Sequence, residues 1–344
     1  MTELSLGTAT RTSGSGMVAR YYPGVLIALV GGISAEAISL HYGAPAMLIA
    51  LLIGLAIHFT YDLESVRSGI EWAGRSVLRF GVALLGLRIA LSDIGAIGAA
   101  TLSLVAAAMA VTVLCGVWGA RLLGLTREFG VLSGGAVAVC GASAAAAISS
   151  VLPRDKDSEQ ALAVVIAVVT VMATIAMIAY PLLLTALSLG AEDMGVVLGG
   201  TIHDVAQVVA AGKAISPRVG ELATLVKLMR VALLLPVVVL AYVWLGRGKG
   251  SDAPKGVLQY IPGFLLLFFA FAALNSMGWV PDDVATLGGT VSHWCLVIAI
   301  TAIGVKTNLK SLLDVGWRPF VLIVAETLVM LAIVLGGVII IAML

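Results

Sequence analysis

Charge is scarce in this chain: of 344 residues only 11% are Asp, Glu, Lys or Arg, while 60% are hydrophobic. A soluble globular domain carries roughly a quarter of its residues as charges, so that class is excluded. The two signs nearly cancel, leaving a net charge of +1, and nothing in the charge suggests a nucleic-acid partner. Cysteine is also rare. Cys115, Cys140 and Cys295 all lie within apolar segments, which argues against a disulfide framework. No ATP-binding motif, metal-ligand cluster or nucleophile-base-orienter set stands out, so neither a cofactor nor a metal is expected and the chain does not read as an enzyme.

What is present is apolar sequence. The mean hydropathy is +1.11, and runs long enough to cross a bilayer as helices recur along the whole length. The expected fold class is an all-α integral membrane protein with about eleven transmembrane helices, its partner being the lipid bilayer. Residues 1–20, small and polar with Arg11 and Arg20, read as a disordered cytoplasmic tail, and a cleaved signal peptide is not expected. Residues 21–344 read as a single membrane domain. Asp62 to Arg75 alternates charged and apolar residues at helical spacing, which predicts a helix on the cytoplasmic surface. Most Lys and Arg residues then fall on the side of the N-terminus, and the positive-inside rule gives N-in, C-out. The Arg154 to Glu159 loop conflicts locally with that rule. Re-entrant hairpins at spans five and seven would remove the conflict, and this alternative to fully crossing helices stays open.

Several motifs occur twice. Gly54–His58 is similar to Gly199–His203, Leu78-Arg79 to Met229-Arg230, and Gly134-Gly135 to Gly288-Gly289, at offsets of 145, 151 and 154 residues. The pattern predicts an extra helix at 23–42 and two five-helix repeats, 44–188 and 195–344. Five is odd, so the copies have opposite orientations, as in secondary transporters that bind substrate where the copies meet. Glycines weaken helix continuity, and a helix interrupted near Cys140 and Gly141 exposes amides that suit an anion. Gly134, Gly135, Cys140, Gly141 and Ser143 in span five, with Gly288, Gly289 and His293 in span ten, are the expected pair of interrupted segments. The alternative is that these small residues only allow close helix packing.

Ionisable groups inside apolar sequence are expensive and mark function or structural pairing. His203, Asp204 and Gln207 lie in span seven, and Lys227 and Arg230 share a face of span eight. Glu326 stands alone in span eleven, where Arg230 is a candidate structural partner. Lys227 and Arg230 are assigned to an anionic substrate; His203, Asp204, Gln207 and Glu326 are the candidate coupling group.

The Val139–Ala144 run and the Gly200–Gly212 run resemble the two signature segments of the YeiH-type family of proposed sulfate exporters. The similarity extends over nearly the whole chain after the tail, including Arg79–Arg88 and Gly304–Asn308. The resemblance implies a bacterial inner-membrane protein that exports sulfate or related sulfur oxyanions. The expected arrangement of inverted five-helix repeats with two interrupted crossing helices is similar to the folds of sodium/proton antiporters and bile-acid symporters, though fold does not dictate substrate.

The reading is a secondary active transporter of a small inorganic or organic anion, working by alternating access and coupled to a proton or sodium. A cation/proton antiporter of the same fold is the competing reading. A membrane-embedded enzyme using His203 as base and Arg230 as oxyanion clamp is a third. Small-residue faces such as Gly336 and Gly337 could pack a second copy into a homodimer or simply a neighbouring helix.

Overall fold

A computed structural model describes residues 14–89, 91–152, 158–246, 262–308 and 315–343. The described residues are helical almost throughout. In chain order they form α1 (Gly14–Tyr42), α2 (Ala46–Ala56), α3 (Glu64–Trp72), α4 (Leu78–Leu85), α5 (Leu91–Leu122), α6 (Arg127–Ala138), α7 (Ala142–Ser149) and α8 (Ser158–Ala186), then α9 (Ala191–Thr201), α10 (Val205–Ile215), α11 (Pro217–Ala232), α12 (Leu234–Ala241), α13 (Gly263–Ser276), α14 (Asp282–Lys306) and α15 (Trp317–Met343). Six helices are long and apolar enough to cross a bilayer: 19–42, 97–122, 158–186, 217–244, 282–306 and 317–343. Shorter apolar helices lie between them.

Two expectations change at the N-terminal end. Helix α1 begins at Gly14, inside the stretch expected to be a disordered tail, while residues 1–13 lie outside the described residues. The expected surface helix is not separate either. A π-helical turn at Ala73–Val77 joins α3 to α4, and both flanking residues keep helical dihedrals, so one rod runs from Glu64 to Leu85.

The helices pack as two bundles. Helices α1–α4, α13 and α14 form the first; α5–α11 and α15 form the second. Glycine holds the first together where backbones touch. A Cβ on Gly24 would lie 2.7 Å from Gly69 Cα, and one on Gly54 would lie 2.8 Å from Gly304 Cα. These contacts admit no methyl group, which is the membrane use of small residues.

The second bundle contains two helices that stop at mid-depth and turn back. Ile148 on α7 fills the space over Gly135 on α6, whereas a continuous helix would hold those residues about 20 Å apart. Likewise Gly195 on α9 sits against Leu222, and Gly212 on α10 sits against Gly220. Both therefore lie at one level of α11, although a straight helix would separate them by about 25 Å. The 29-residue α8 lies between the two hairpins, so they enter from opposite ends of the bundle and meet at their tips. Spans five and seven thus fold back as hairpins instead of running as straight helices.

This corrects the expected pair of breaks. Span ten is the uninterrupted 25-residue α14, so the second interruption falls in span seven, at Ile202–Asp204. The duplicated Gly-Gly pairs do not occupy equivalent places: Gly134 packs on Val113 of α5, whereas Gly288 and Gly289 pack on Leu87 and Arg88.

Candidate functional site

The α6–α7 turn is built on Gly141, whose φ of 63° is a conformation that costs other residues. Its amide donates to Ala136 O at 2.8 Å. The α9–α10 turn is made by Ile202 and Asp204 in extended conformations, and Asp204 caps α10 by accepting from Ala206 N at 2.8 Å. The tips touch: a Cβ on Gly141 would lie 3.5 Å from His203 Cβ.

A helix ends with carbonyls that have no internal partner. Here Lys227 and Arg230, both fully buried on α11, supply the partners for both half-helices. Arg230 donates to Val137 O at 2.9 Å, Ala138 O at 2.7 and 3.1 Å, Gly199 O at 3.1 Å and Ile202 O at 3.2 Å. Lys227 donates to Val139 O at 2.6 Å and Ile202 O at 2.8 Å. The placement has an electrostatic logic, since the C-terminal end of a helix favours a nearby cation. The pair expected to hold substrate is therefore occupied by backbone, and Arg230 is not the partner of Glu326. That carboxylate accepts from Ser133 Oγ at 2.7 Å through Oε1, while its buried Oε2 has no partner.

A cavity of about 520 Å³ opens between the bundles and ends at the hairpin tips. Cys140, Gly141, Ser143, His203, Asp204 and Gln207 line its inner end. Cys140 Sγ lies 3.0 Å from Ser143 Oγ, which donates to Cys140 O at 3.2 Å. His203 Nε2 lies 3.0 Å from Thr327 Oγ1, and Gln207 Nε2 donates to Thr174 Oγ1 at 3.0 Å. Of the expected site residues, these six converge on one space. The others do not. Gly135 packs inside the hairpin on Ile148, Gly134 packs on Val113 of α5, and Glu326 lies behind the hairpin on α15. Gly288, Gly289 and His293 belong to the other bundle, where His293 Nε2 meets Glu36 Oε2 at 3.0 Å.

Sequence reasoning missed the cavity's outer wall. Arg75, Arg79 and Lys306 line it and are exposed. Glu71 accompanies them and accepts from Tyr61 Oη at 2.9 Å. Arg79 also sits over the Phe264 ring, 5.8 Å from its centroid. The available signal was the four-residue spacing of Arg75 and Arg79, which places both on one helix face.

Comparison with known proteins gives the kinship. The family model described as "Conserved hypothetical protein 698" matches residues 23–323. The chain is 46% identical over 332 residues to the UPF0324 membrane protein TauZ of Paracoccus pantotrophus, covering 96% of this chain and 98% of that one. It is 45% identical over 323 residues to the UPF0324 membrane protein CT0845 of Chlorobaculum tepidum, covering 93% and 90% of the two chains. The figure is 43% over 343 residues for the UPF0324 membrane protein RB0971 of Rhizobium meliloti, 98% of each. No solved structure matches this chain. With a family model spanning most of its length and full-length relatives well above 40% identity, the chain belongs to the UPF0324 family of membrane proteins.

Proposed function

We propose that this protein is a secondary active transporter of a small anion, sulfate or a related sulfur oxyanion, in the bacterial inner membrane. The observation that carries the reading is the meeting of two hairpin tips, entering from opposite ends of the bundle, at a cavity whose outer wall carries Arg75, Arg79 and Lys306 against one carboxylate, Glu71. The α7 N-terminus there, with no capping side chain, presents amides of the kind that bind anions, and Arg75, Arg79 and Lys306 attract anions toward it. In this proposal nine segments cross the bilayer and the two hairpins enter from opposite faces, an inverted arrangement suited to alternating access. Helix directions follow from packing: α1 runs antiparallel to α14 through Gly31–Thr301 and Glu36–His293, and α5 antiparallel to α15 through Gly119–Leu322 and Gly337–Leu104. With the basic ends inside, the N-terminus is cytoplasmic, the C-terminus is outside and the cavity opens inward.

Asp204 and His203 are the proposed coupling residues, exchanging a proton or binding a cation as one bundle moves against the other. A cation antiporter would use the same Asp204, but the three basic residues of the cavity wall repel its substrate. Flux of labelled sulfate, sulfite and thiosulfate into proteoliposomes is the direct test. Gradient-driven, saturable uptake of an oxyanion that is lost in Asp204→Asn supports the proposal. Sodium-driven internal pH changes with no oxyanion flux would replace it with the antiporter reading.

A further inference from the structure

A second pocket lies on the first bundle, away from the hairpins. Helices α1 and α3 cross at Gly24 and Gly69, where a Cβ on either would lie 2.7 Å from the other's Cα. Beside that crossing a space of about 170 Å³ is lined by Arg20 and Tyr21 of α1 and by Ser68, Trp72, Arg75 and Ser76 of the α3–α4 rod. Ser68, Trp72 and Ser76 recur every four residues, which puts them on one side of the rod. Two guanidiniums there face one carboxylate, Glu71, and Glu71 Oε1 already accepts from Tyr61 Oη at 2.9 Å. Arg20 donates through Nε to Ser68 Oγ at 3.3 Å, and a guanidinium carries further N–H donors in the same plane. Excess positive charge, forked donors and hydroxyls are the chemistry that recognises a tetrahedral oxyanion such as phosphate.

Position selects the source of that oxyanion. The apolar span of α1 begins at Ala19, so Arg20 and Tyr21 stand where hydrocarbon gives way to headgroups. The rings of Tyr21 and Trp72 lie 6.1 Å apart, and Trp72 is exposed, as suits an aromatic residue at the membrane interface. About two turns further along the rod, Phe80 is exposed and does not line the transport cavity, so it offers an acyl chain an apolar surface next to the pocket. The space equals the share of roughly five waters, enough for a phosphodiester group. Arg75 lines the transport cavity as well, whereas Arg20 lines this pocket and not the cavity.

We propose that this pocket binds the phosphate headgroup of an anionic phospholipid, clamped between Arg20 and Arg75, with the lipid's apolar part against Trp72 and Phe80. A zwitterionic headgroup is disfavoured because its ammonium would meet the same two guanidiniums. The orientation proposed above puts the site in the cytoplasmic leaflet, where basic pockets meet anionic lipids. The site does not depend on the transport reading, and binding is measured without flux, so the two fail separately.

Native mass spectrometry of the full chain in detergent, titrated with phosphatidylglycerol and with phosphatidylcholine of the same acyl chains, tests the proposal. Phosphatidylglycerol is expected to bind at least about tenfold more tightly, since each arginine near an anionic lipid is worth about fivefold. Arg20→Gln is expected to weaken phosphatidylglycerol about fivefold and leave phosphatidylcholine unchanged. Arg67, also on α3, stacks on Tyr61 at 5.2 Å and does not line the pocket. Arg67→Gln is therefore the control, expected to stay within about twofold. If Arg20→Gln fails to fold, Ser68→Glu gives the second readout: it sets a carboxylate against Arg20 in place of the phosphate, and phosphatidylglycerol is expected to weaken at least about tenfold. Millimolar inorganic phosphate or sulfate, compared with chloride at equal ionic strength, is expected to leave lipid binding unchanged. Equal binding of the two lipids, or equal losses in Arg20→Gln and Arg67→Gln, would overturn the proposal in favour of diffuse surface charge. Displacement of the lipid by either free anion would overturn it in favour of a site for soluble oxyanions.

Discussion

Replacing Arg230 with methionine tests whether the buried cations hold the hairpins or the substrate. The side chain makes five hydrogen bonds to four carbonyls. Lys227 also reaches Ile202 O, so Val137, Ala138 and Gly199 are the carbonyls left bare. Within membranes a side-chain hydrogen bond averages about 0.6 kcal/mol, which gives about 3 kcal/mol for five. Figures from soluble proteins, about 1.5–3 kcal/mol for each bond to a charged group, would give more than twice that. The lower figure is the better guide, because removing the guanidinium also removes the cost of burying it. A loss of about 3 kcal/mol corresponds to a fall of roughly 4 °C in melting temperature for a chain of this size. Thermal unfolding of the purified protein, followed by intrinsic fluorescence, reads it directly. Arg230→Lys keeps the charge but not the planar fork, and belongs between the two. Lys227→Met should be non-additive with Arg230→Met, because both cations hold Ile202 O. An Arg230→Met protein with wild-type melting and only a raised KM would refute the reasoning and return Arg230 to the substrate.

The other predictions concern the tips and the cavity. Gly141→Ala forces an L-residue into positive φ and is expected to cost about 1–2 kcal/mol, measurable as a lower melting temperature and reduced flux. Ser143→Cys, in a Cys140→Ser background, should react with a membrane-impermeant thiol reagent in inside-out vesicles and be protected in right-side-out cells; labelling only from outside would reverse the assigned topology. His293→Gln breaks a partly exposed pair with Glu36, should cost under about 1 kcal/mol, and should leave transport within twofold of wild type by the labelled-anion assay.

The helical membrane class was legible because composition and run length alone decide it. His203, Asp204 and Gln207 were legible as well, since polar residues in apolar sequence stand out wherever they fall. The partner break was not. Gly288-Gly289 looks like Gly134-Gly135 in sequence, yet glycine serves close packing and interruption equally well, and only the neighbours of α14 show which. The interruption at Ile202–Asp204 contains no glycine or proline. Its cause is an Asp that caps the next helix while carbonyls of the previous one are taken by side chains 25 and 28 residues later in the chain. Such long-range satisfaction leaves no local mark. Arg75, Arg79 and Lys306 were passed over for a related reason: the spacing of the two arginines marks a shared helix face, but near a membrane surface basic residues are ordinary until a second bundle encloses them.

The glycine contacts of the first bundle have a mechanical consequence. Where backbones touch at Gly24 with Gly69 and Gly54 with Gly304, no side chain is available to repack, so these helices cannot slip past one another by a turn; they act as one stiff plank. The bundles meet where α10 touches α2 and α14. If one bundle moves against the other as proposed, the displacement falls along that seam, and both hairpin tips travel with the second bundle as cargo.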